Sequence, residues 1–557
     1  MTVDPFTIEI IREQLIAAAE ESFIALGRSS QSPIIYEVLD YACAITDANG
    51  DLVAQANGVP GFLGTLSFAV KTIIQKFPPV TMCDGDVFIT NDPYQGGGNH
   101  LSDVALIAPI FHQDQLVAFG VNKAHWTEVG GMAAGSWTTD SREIYQEGLQ
   151  FPAIHLYRAG QPDRALIDLI AANVRTPEAT LGDMVAGVAS LRSAERRVAE
   201  ICRRYGLETL RDSMRTILDH GEALARQLLA ELPKGDYFAE DWMDDDGLSD
   251  EPVYVCVRVT VTGDAFIADF TGSAAQVTGP INCTRTRLHS ACRTIFKAIT
   301  DPKTPGNEGW FRPLQVVCPD GTVFTARRPA PVSTYWETGA YAVDLLWHAL
   351  FPVLPDRLTA GHSLSVCGTV VSGRRETGET FILVEPQAGG WGAGVTKDGE
   401  NGLVVVGDGE TYIMPVEICE TRFPLLVDQF TFNCQPAGSG KYRGGLGLVR
   451  DYRVLCESAQ LTTTFGRHKT APWGAAGGQS GSPNGVAIIP AGMDEPVTWK
   501  GKLARHQLKS GDVVRLVTGV GGGYGDPRQR DPEAVRADVR NGFLTPEQAS
   551  AIYGEAT

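Results

Sequence analysis

Short-spaced cysteine pairs are missing from this chain. Its eleven cysteines are scattered, odd in number and never arranged as CxxC, which reads as reduced thiols in a cytoplasmic protein, not a disulfide framework. Most lie in apolar, strand-like runs such as YVCVRV and VVCP. Cys43 and Cys292 have the residue type of a nucleophile, but nothing beside them marks them as one, and a buried inert thiol is the better reading. A surplus of basic residues is missing too. Lys and Arg number 47 against 66 Asp and Glu, a formal net charge of −19, which argues against nucleic acid or an anionic membrane as the main partner. No apolar run is long enough to span a bilayer, and the N-terminus, with Asp4 and Glu9, lacks the basic-then-apolar pattern of a secretory signal. No repeat of fixed period is evident. A phosphate loop is absent as well: in Gly438-Ser439-Gly440-Lys441, Tyr442 follows where Ser or Thr is required, and Gln435 stands where the first glycine should be. The cluster Gly521-Gly522-Gly523-Tyr524-Gly525 lacks the following amphipathic helix of a dinucleotide site.

What is present is the composition of a globular protein, 43% apolar and 20% charged over 557 residues, too long for one ordinary core. Apolar residues Ile8, Ile11, Leu15, Ala19 and Phe23 recur at helical spacing over residues 7–26. YACAITDANGDLVAQA reads as a hairpin, followed by a helix over about 65–77 and a strand in GDVFITNDPY. VALIAPIF and LVAFGVNKAH are strands on either side of a turn at His112-Gln113-Asp114-Gln115. Thr176-Pro177 opens a helical tract to about residue 232. YFAEDWMDDDGL reads as an acidic link and VYVCVRVTVTGDAFIADF as strand–turn–strand. SACRTIFKAI and GAYAVDLLWHAL read as helices. The 61 glycines are interleaved with apolar and aromatic residues, which points to tight turns and close backbone contacts. Two short helices end the chain, the second with Thr545, Pro546 and Gln548 in a capping box. The expected fold is a multi-layered α+β protein. Its segments are an N-terminal α/β region (1–175), a helical tract (176–235), a mixed region (236–380), a glycine-rich β region (381–530) and C-terminal helices (531–557).

The stretch 91–131 stands out. It reads NDPYQGGGNHLSDV, an apolar segment, then AHWTEVGG, and carries two of the ten histidines, His100 and His125, with Asp103 close behind the first. His125 is placed at the end of a strand and His100 just before one. Imidazole with carboxylate suits zinc, manganese or iron(II); the plainer reading is of two ordinary loop histidines. Glu128 could act as general base, and Asn91 and Asp92 could position substrate, although Asx-Pro is also a common turn opener. Glu37 and Tyr36 are candidates to line the pocket. Arg443 and Glu417 read as structural.

Along nearly its whole length the chain resembles the hydantoinase B/oxoprolinase family. The resemblance rests on YEVLDYACAITDANGDLVAQA, NDPYQGGGNHLSDVALIAPIF, AHWTEVGG, PINCTRTRLHSA, GGWGAG, MPVEICETRFPL, GKYRGGLGLVRDY and GGGYGDPRQRDPEAVRADV. It implies one divalent metal, zinc or manganese, held by Asp40, His100, Asp103 and His125. It also implies a larger hydantoinase A-type partner that binds and cleaves ATP, and hence a hetero-oligomer. The implied activity is ring opening of a cyclic amide (a hydantoin, a 5-oxoproline-like ring or a lactam). Beside what the resemblance implies, the residues themselves make Glu128 and Asp92 the candidate catalytic groups and Asn91 and Glu37 the candidates to contact substrate. A component of an acetone- or acetophenone-type carboxylase is the alternative, and a non-catalytic scaffold the third reading. The family commonly has paired histidines and an Asp where this chain has His125-Trp126-Thr127-Glu128, and histidines where it has Gly58 and Phe62.

Overall fold

The computed structural model describes residues 3–409 and 411–554; the outer limits of the first and last expected segments, 1 and 557, lie outside them. Asp4 caps the first helix, α1 (Pro5–Ser29), by accepting the Phe6 and Thr7 amides, and the short α2 (Pro33–Tyr36) follows. A seven-stranded antiparallel sheet comes next: β1 (Tyr41–Asp47), β2 (Leu52–Gln55), β3 (Val87–Thr90), β4 (Asp103–His112), β5 (Gln115–His125), β6 (Ile154–Arg158) and β7 (Gln161–Pro162), in the spatial order β2-β1-β5-β4-β3-β6-β7. The helix α3 (Pro60–Lys76) starts five residues earlier than its apolar pattern suggests, because Pro60 is favoured in a first helical turn. After α4 (Arg164–Asn173), the helical tract forms α5 (Pro177–Tyr205) and α6 (Leu207–Glu231), broken at Gly206, whose φ of 88° favours glycine.

The seven-stranded sheet is covered on both faces. Alternate residues on β1, β4 and β5 (Ala42, Ala44, Ala105, Ile107, Phe119, Val121) meet Leu66, Ala69 and Val70 of α3. On the other face Ile45 and Ile110 meet Ile11 and Leu15 of α1 and Val198 of α5. Burial of both faces explains why these strands read as continuous apolar runs.

A second sheet, ordered β11-β10-β9-β8, is built from β8 (Gly235–Met243), β9 (Val253–Val261), β10 (Phe266–Asp269) and β11 (Leu314–Val317). It shares a core with α7 (Arg285–Thr300) and α8 (Trp336–Leu350). Here the acidic segment departs from expectation. Its first part is β8, and Asp244, Asp245 and Asp246 behind it are buried. Asp244 accepts the amides of His468, Lys469 and Thr470. Asp245 meets Lys502 at 2.7 Å, and Asp246 accepts the Gly279 amide. The carboxylates join distant segments, because each has found donors there that substitute for water.

The C-terminal part runs through β12 (Gly368–Arg374), β13 (Thr380–Glu385), α9 (Val416–Arg422), β14 (Leu425–Asn433), β15 (Gly447–Val454), β16 (Ser458–Thr464), β17 (Gly485–Ile489), β18 (Thr498–Lys500), β19 (Lys502–Lys509) and β20 (Val513–Val517), then α10 (Pro532–Arg540) and α11 (Pro546–Tyr553). The strands form two antiparallel sheets, β13-β12-β16-β19 and β14-β15-β20-β17-β18, around a common core with Val371, Leu461, Tyr452 and Leu516. The glycine loops beside them make the expected close contacts: a methyl on Gly445 would strike the Glu400 carbonyl, and one on Gly522 the Trp473 carbonyl. Thr545 and Gln548 form the expected capping box on α11.

Candidate metal centre

Strand register assembles the site. At the open end of the β4–β5 hairpin Asp103 lies opposite His125, and the neighbouring strand β1 pairs Tyr41 with Ala124. The His125 amide continues that ladder by donating to the Asp40 carbonyl at 3.0 Å. Asp40 shares parity with Ala42 and Ala44, as Asp103 does with Ala105 and His125 with Val121. All three therefore project from the α3 side of three adjacent strands. The YEVLD segment before β1 is the end of α2 and a turn with Leu39 at φ 62°, not a strand. His100 enters from the glycine loop, its ring centroid 5.0 Å from that of His125.

The donor set of His100, Asp103 and His125 is fully buried, and one ligand atom from each lies within 4.8 Å of the others. At ordinary bond lengths, ligand atoms of one ion lie roughly 3.4–4.2 Å apart, so small side-chain shifts, with His100 Nε2 and Asp103 Oδ1 parting from their 2.9 Å contact, would admit a cation. The His100 Nδ1 lies 3.1 Å from the Ser333 carbonyl, which can only accept; that bond places a proton on Nδ1. In the neutral ring Nε2 then turns a lone pair toward Asp103 Oδ1, 2.9 Å away. Two acceptors so aimed require a proton or a cation between them. The other Asp103 oxygen accepts from Tyr335 Oη at 2.9 Å and Asn99 Nδ2 at 3.1 Å. His100 and Asp103 are thus each oriented by a partner behind them, as metal sites require. Burial, then the neighbouring His100, pushes the His125 imidazole down to about 3, so it is neutral, and its Nδ1 is buried without a hydrogen-bond partner. The chemistry of this set fits a divalent cation.

Asp40 and Asp408 line the same small cavity as the three, together with Phe62, Trp137, Trp336 and Glu385. Burial first, then the negative Asp103 and Asp408, raises the Asp40 carboxyl well above its usual range. Burial likewise pushes Asp408 up to about 7, against the pull of Arg287. Carboxylates crowded in this way gain from a cation among them. Glu385 Oε1 accepts from Gln387 and Tyr452, while its Oε2 is buried without a hydrogen-bond partner. Lys123, on the same face of β5 as His125, anchors the glycine loop to α3. It donates to Thr65 Oγ1 at 2.5 Å and to the Gly97 carbonyl.

Other residues singled out in the sequence stand elsewhere. Glu128 does not line the cavity. Its buried carboxylate takes Arg175 at 2.6 Å and the Gly130 and Gly135 amides at 3.0 and 2.9 Å, contacts that tie the loop together. Asp92 caps the loop through the Tyr94 amide and pairs with Arg328 at 3.2 Å. Asn91 spends its side chain on the Leu101 and Leu149 carbonyls and the Phe151 amide. Glu37 ends α2 and is not on the cavity wall. None of these four therefore reaches the metal cluster. Of the two positions where histidine is replaced, Phe62 lines the cavity, whereas a Cβ on Gly58 would stand 2.9 Å from the Tyr41 carbonyl oxygen and 3.1 Å from the Ala42 Cα. Arg443 ties Asp538 and Asn401 together, a structural role. Cys43 and Cys292 are fully buried, and burial raises both thiols. Asp408, Glu385 and Tyr335 escape a reading of the sequence, since each joins the cluster only through contacts across more than two hundred residues.

The sequence pattern of the Hydantoinase B/oxoprolinase family matches residues 4–527. A putative D-/L-hydantoinase component of the B type from Pseudomonas sp. (strain NS671) is 32% identical over 99% of this chain and 95% of its own length. The crystal structure of the ATP-dependent caprolactamase from Pseudomonas jessenii superposes with a TM-score of 0.92 at 27% identity, covering 100% of this chain and 96% of that one. The nucleotide-free structure of an acetone carboxylase shares the fold, with a TM-score of 0.90 at 20% identity over 99% of this chain and 79% of that one. With a whole-length pattern match and a relative above 30% identity, the chain belongs to the hydantoinase B/oxoprolinase family.

Proposed function

We propose that this chain is the metal-bearing catalytic subunit of an ATP-dependent cyclic-amide hydrolase. It would act on a hydantoin, a 5-oxoproline-like ring or a lactam after a hydantoinase A-type partner has phosphorylated the amide oxygen. The observation that carries this reading is the buried His100–Asp103–His125 set, oriented from behind by Ser333 and Tyr335, in a chain of this family. An amide resists attack because nitrogen donates into its carbonyl, and phosphorylation of the oxygen ends that donation. Zinc or manganese, when bound, supplies Lewis acidity and makes water a stronger nucleophile near neutral pH.

The chain's own residues do the rest. His100, Asp103 and His125 would hold the ion, and Asp40 and Asp408 line the same cavity. Phe62, Trp137 and Trp336 limit access of bulk water to the cavity. Glu385, on the same wall with its Oε2 3.7 Å from the Arg450 guanidinium, is the candidate to take the proton released by the attacking water and return it to the leaving nitrogen; the acyl phosphate so formed is then hydrolysed by a second water to the acid and phosphate. ATP chemistry is assigned to the partner, which agrees with the failed phosphate-loop pattern in this sequence.

The test is reconstitution with the partner protein and ATP, using hydantoin, 5-oxoproline and caprolactam as candidate substrates, with and without labelled bicarbonate. Ring-opened acid is the expected product. Label in a new carbon–carbon bond would instead establish the carboxylase reading. Unchanged turnover in the H100A/H125A double variant would reduce the chain to a scaffold.

A further inference from the structure

Arg287, in the first turn of α7, is a buried cation that makes no ion pair with any of the described residues, although its charge reaches Asp408. It is 3% exposed and its Nη1 makes no hydrogen bond. Four other arginines are comparably buried, and each faces a carboxylate: Arg293 with Glu308, Arg450 with Glu385, Arg467 with Asp344 and Arg530 with Asp538. Among the described residues no carboxylate oxygen comes within 4.0 Å of Arg287. A buried guanidinium cannot escape the cost of desolvation by losing its proton, so isolation of this kind is expensive unless an anion arrives from outside the chain.

The backbone makes room for this side chain. A methyl placed on Gly407 would stand 2.6 Å from Nη2, one on Gly339 2.9 Å from Nε, and one on Gly61 3.5 Å from Cζ. The guanidinium therefore sits in a slot walled by three glycines. Phe62 and Asp408, each the next residue after one of those glycines, line the metal cavity, as does Trp336 one turn before Gly339, while Arg287 itself is one layer back from that wall.

We propose that Arg287 is the oxyanion-binding residue of this site, pairing with a phosphoryl or carboxylate group carried by the reacting species beside the metal. The inference rests on the metal-site reading above and adds to it the residue that would hold the anionic group of the reacting species. A planar fork of N–H donors binds either kind of oxyanion in bidentate fashion.

The test uses the full chain, metal-free and loaded with Mn²⁺ or Zn²⁺, titrated calorimetrically with methylphosphonate and, separately, with acetate. Wild type is expected to bind at least one probe. A stronger response to methylphosphonate assigns the site to a phosphoryl group, and to acetate a carboxylate. R287K, which keeps the charge but loses the fork, is expected to weaken binding about tenfold, and R287A to abolish it. G407A, which sets a methyl against Nη2, is expected to weaken it as well. Metal content is measured on the same samples and is expected to be unchanged in all three variants. Wild-type affinity for both probes in folded R287K and G407A, or no binding of either probe to wild type at millimolar concentration, overturns the proposal while leaving the metal reading intact. Absence of metal from wild type after loading overturns the metal reading, and the dependence of probe binding on Arg287 in the metal-free samples still decides this one.

Discussion

Asp103 and His125 are cross-strand partners, the last facing pair at the open end of the β4–β5 hairpin. Partners in an antiparallel ladder point to the same face with Cβ atoms about 4.5–5.5 Å apart, so two of the three proposed ligands are positioned by register alone. His100 then needs only a short loop to join them.

Replacing Asp103 by Asn or His125 by Ala should reduce bound metal from about one equivalent to near none, as measured by elemental analysis after dialysis. In wild type, saturating metal should raise the melting temperature, since ligand at about 100 times its Kd adds roughly 2.7 kcal/mol. The same addition should leave both variants unmoved. A metal-dependent shift of wild-type size in either variant would place the ion elsewhere.

Tyr335 donates to Asp103 Oδ2 at 2.9 Å from an element more than two hundred residues away. Tyr335→Phe keeps the ring in place and removes that bond. Loss of such a supporting partner typically costs about 10–100-fold in metal affinity. Competition titration against a chromogenic chelator should therefore show weakening in this range, with the circular dichroism spectrum retained. Unaltered affinity would mean that Asp103 is oriented by other contacts.

Glu128 anchors a loop, so its change should be read in stability. Glu128→Gln leaves the Arg175 charge and an amide donor poorly matched, at a cost of about 1–3 kcal/mol in urea unfolding, with metal content unaltered. A variant of undiminished stability whose turnover falls by orders of magnitude would restore its role in proton transfer.

Glu147, buried behind the site, accepts from Ser141 and from the Val332 and Ser333 amides, and burial pushes its carboxyl up from 4.5 to about 8. Between those values the folded chain holds a proton that the unfolded chain has released. Stability from this group is therefore complete below about pH 4.5 and declines as pH rises through about 8. Glu147→Gln removes the dependence. Comparing unfolding free energies of the two proteins at pH 5 and pH 8 should show wild type losing more over the interval; parallel losses would mean that Glu147 is ionised in the folded state.

Much of the secondary structure is local chemistry and could be read from the chain. Asp4, Pro177, Thr545 and Gln548 act within one turn of the helices they start. The β4–β5 hairpin was legible because period and turn residues are neighbours in sequence, and with it came His100, Asp103 and His125. The acidic run after β8 was misread for the opposite reason: isolated carboxylates look solvated until the donors of His468, Lys469 and Lys502 fold over them. At Glu128, a carboxylate three residues from a histidine is as well placed for a loop amide as for a water molecule, and its contact with Arg175 comes only with the fold. Asp408, Glu385, Tyr335 and Arg287 come to the site from four separate segments. Their roles depend on burial, on the absence or presence of a facing charge and on which glycines let them approach. Pattern along a chain specifies which residues share a face; what lies opposite that face is decided by packing between segments hundreds of residues apart.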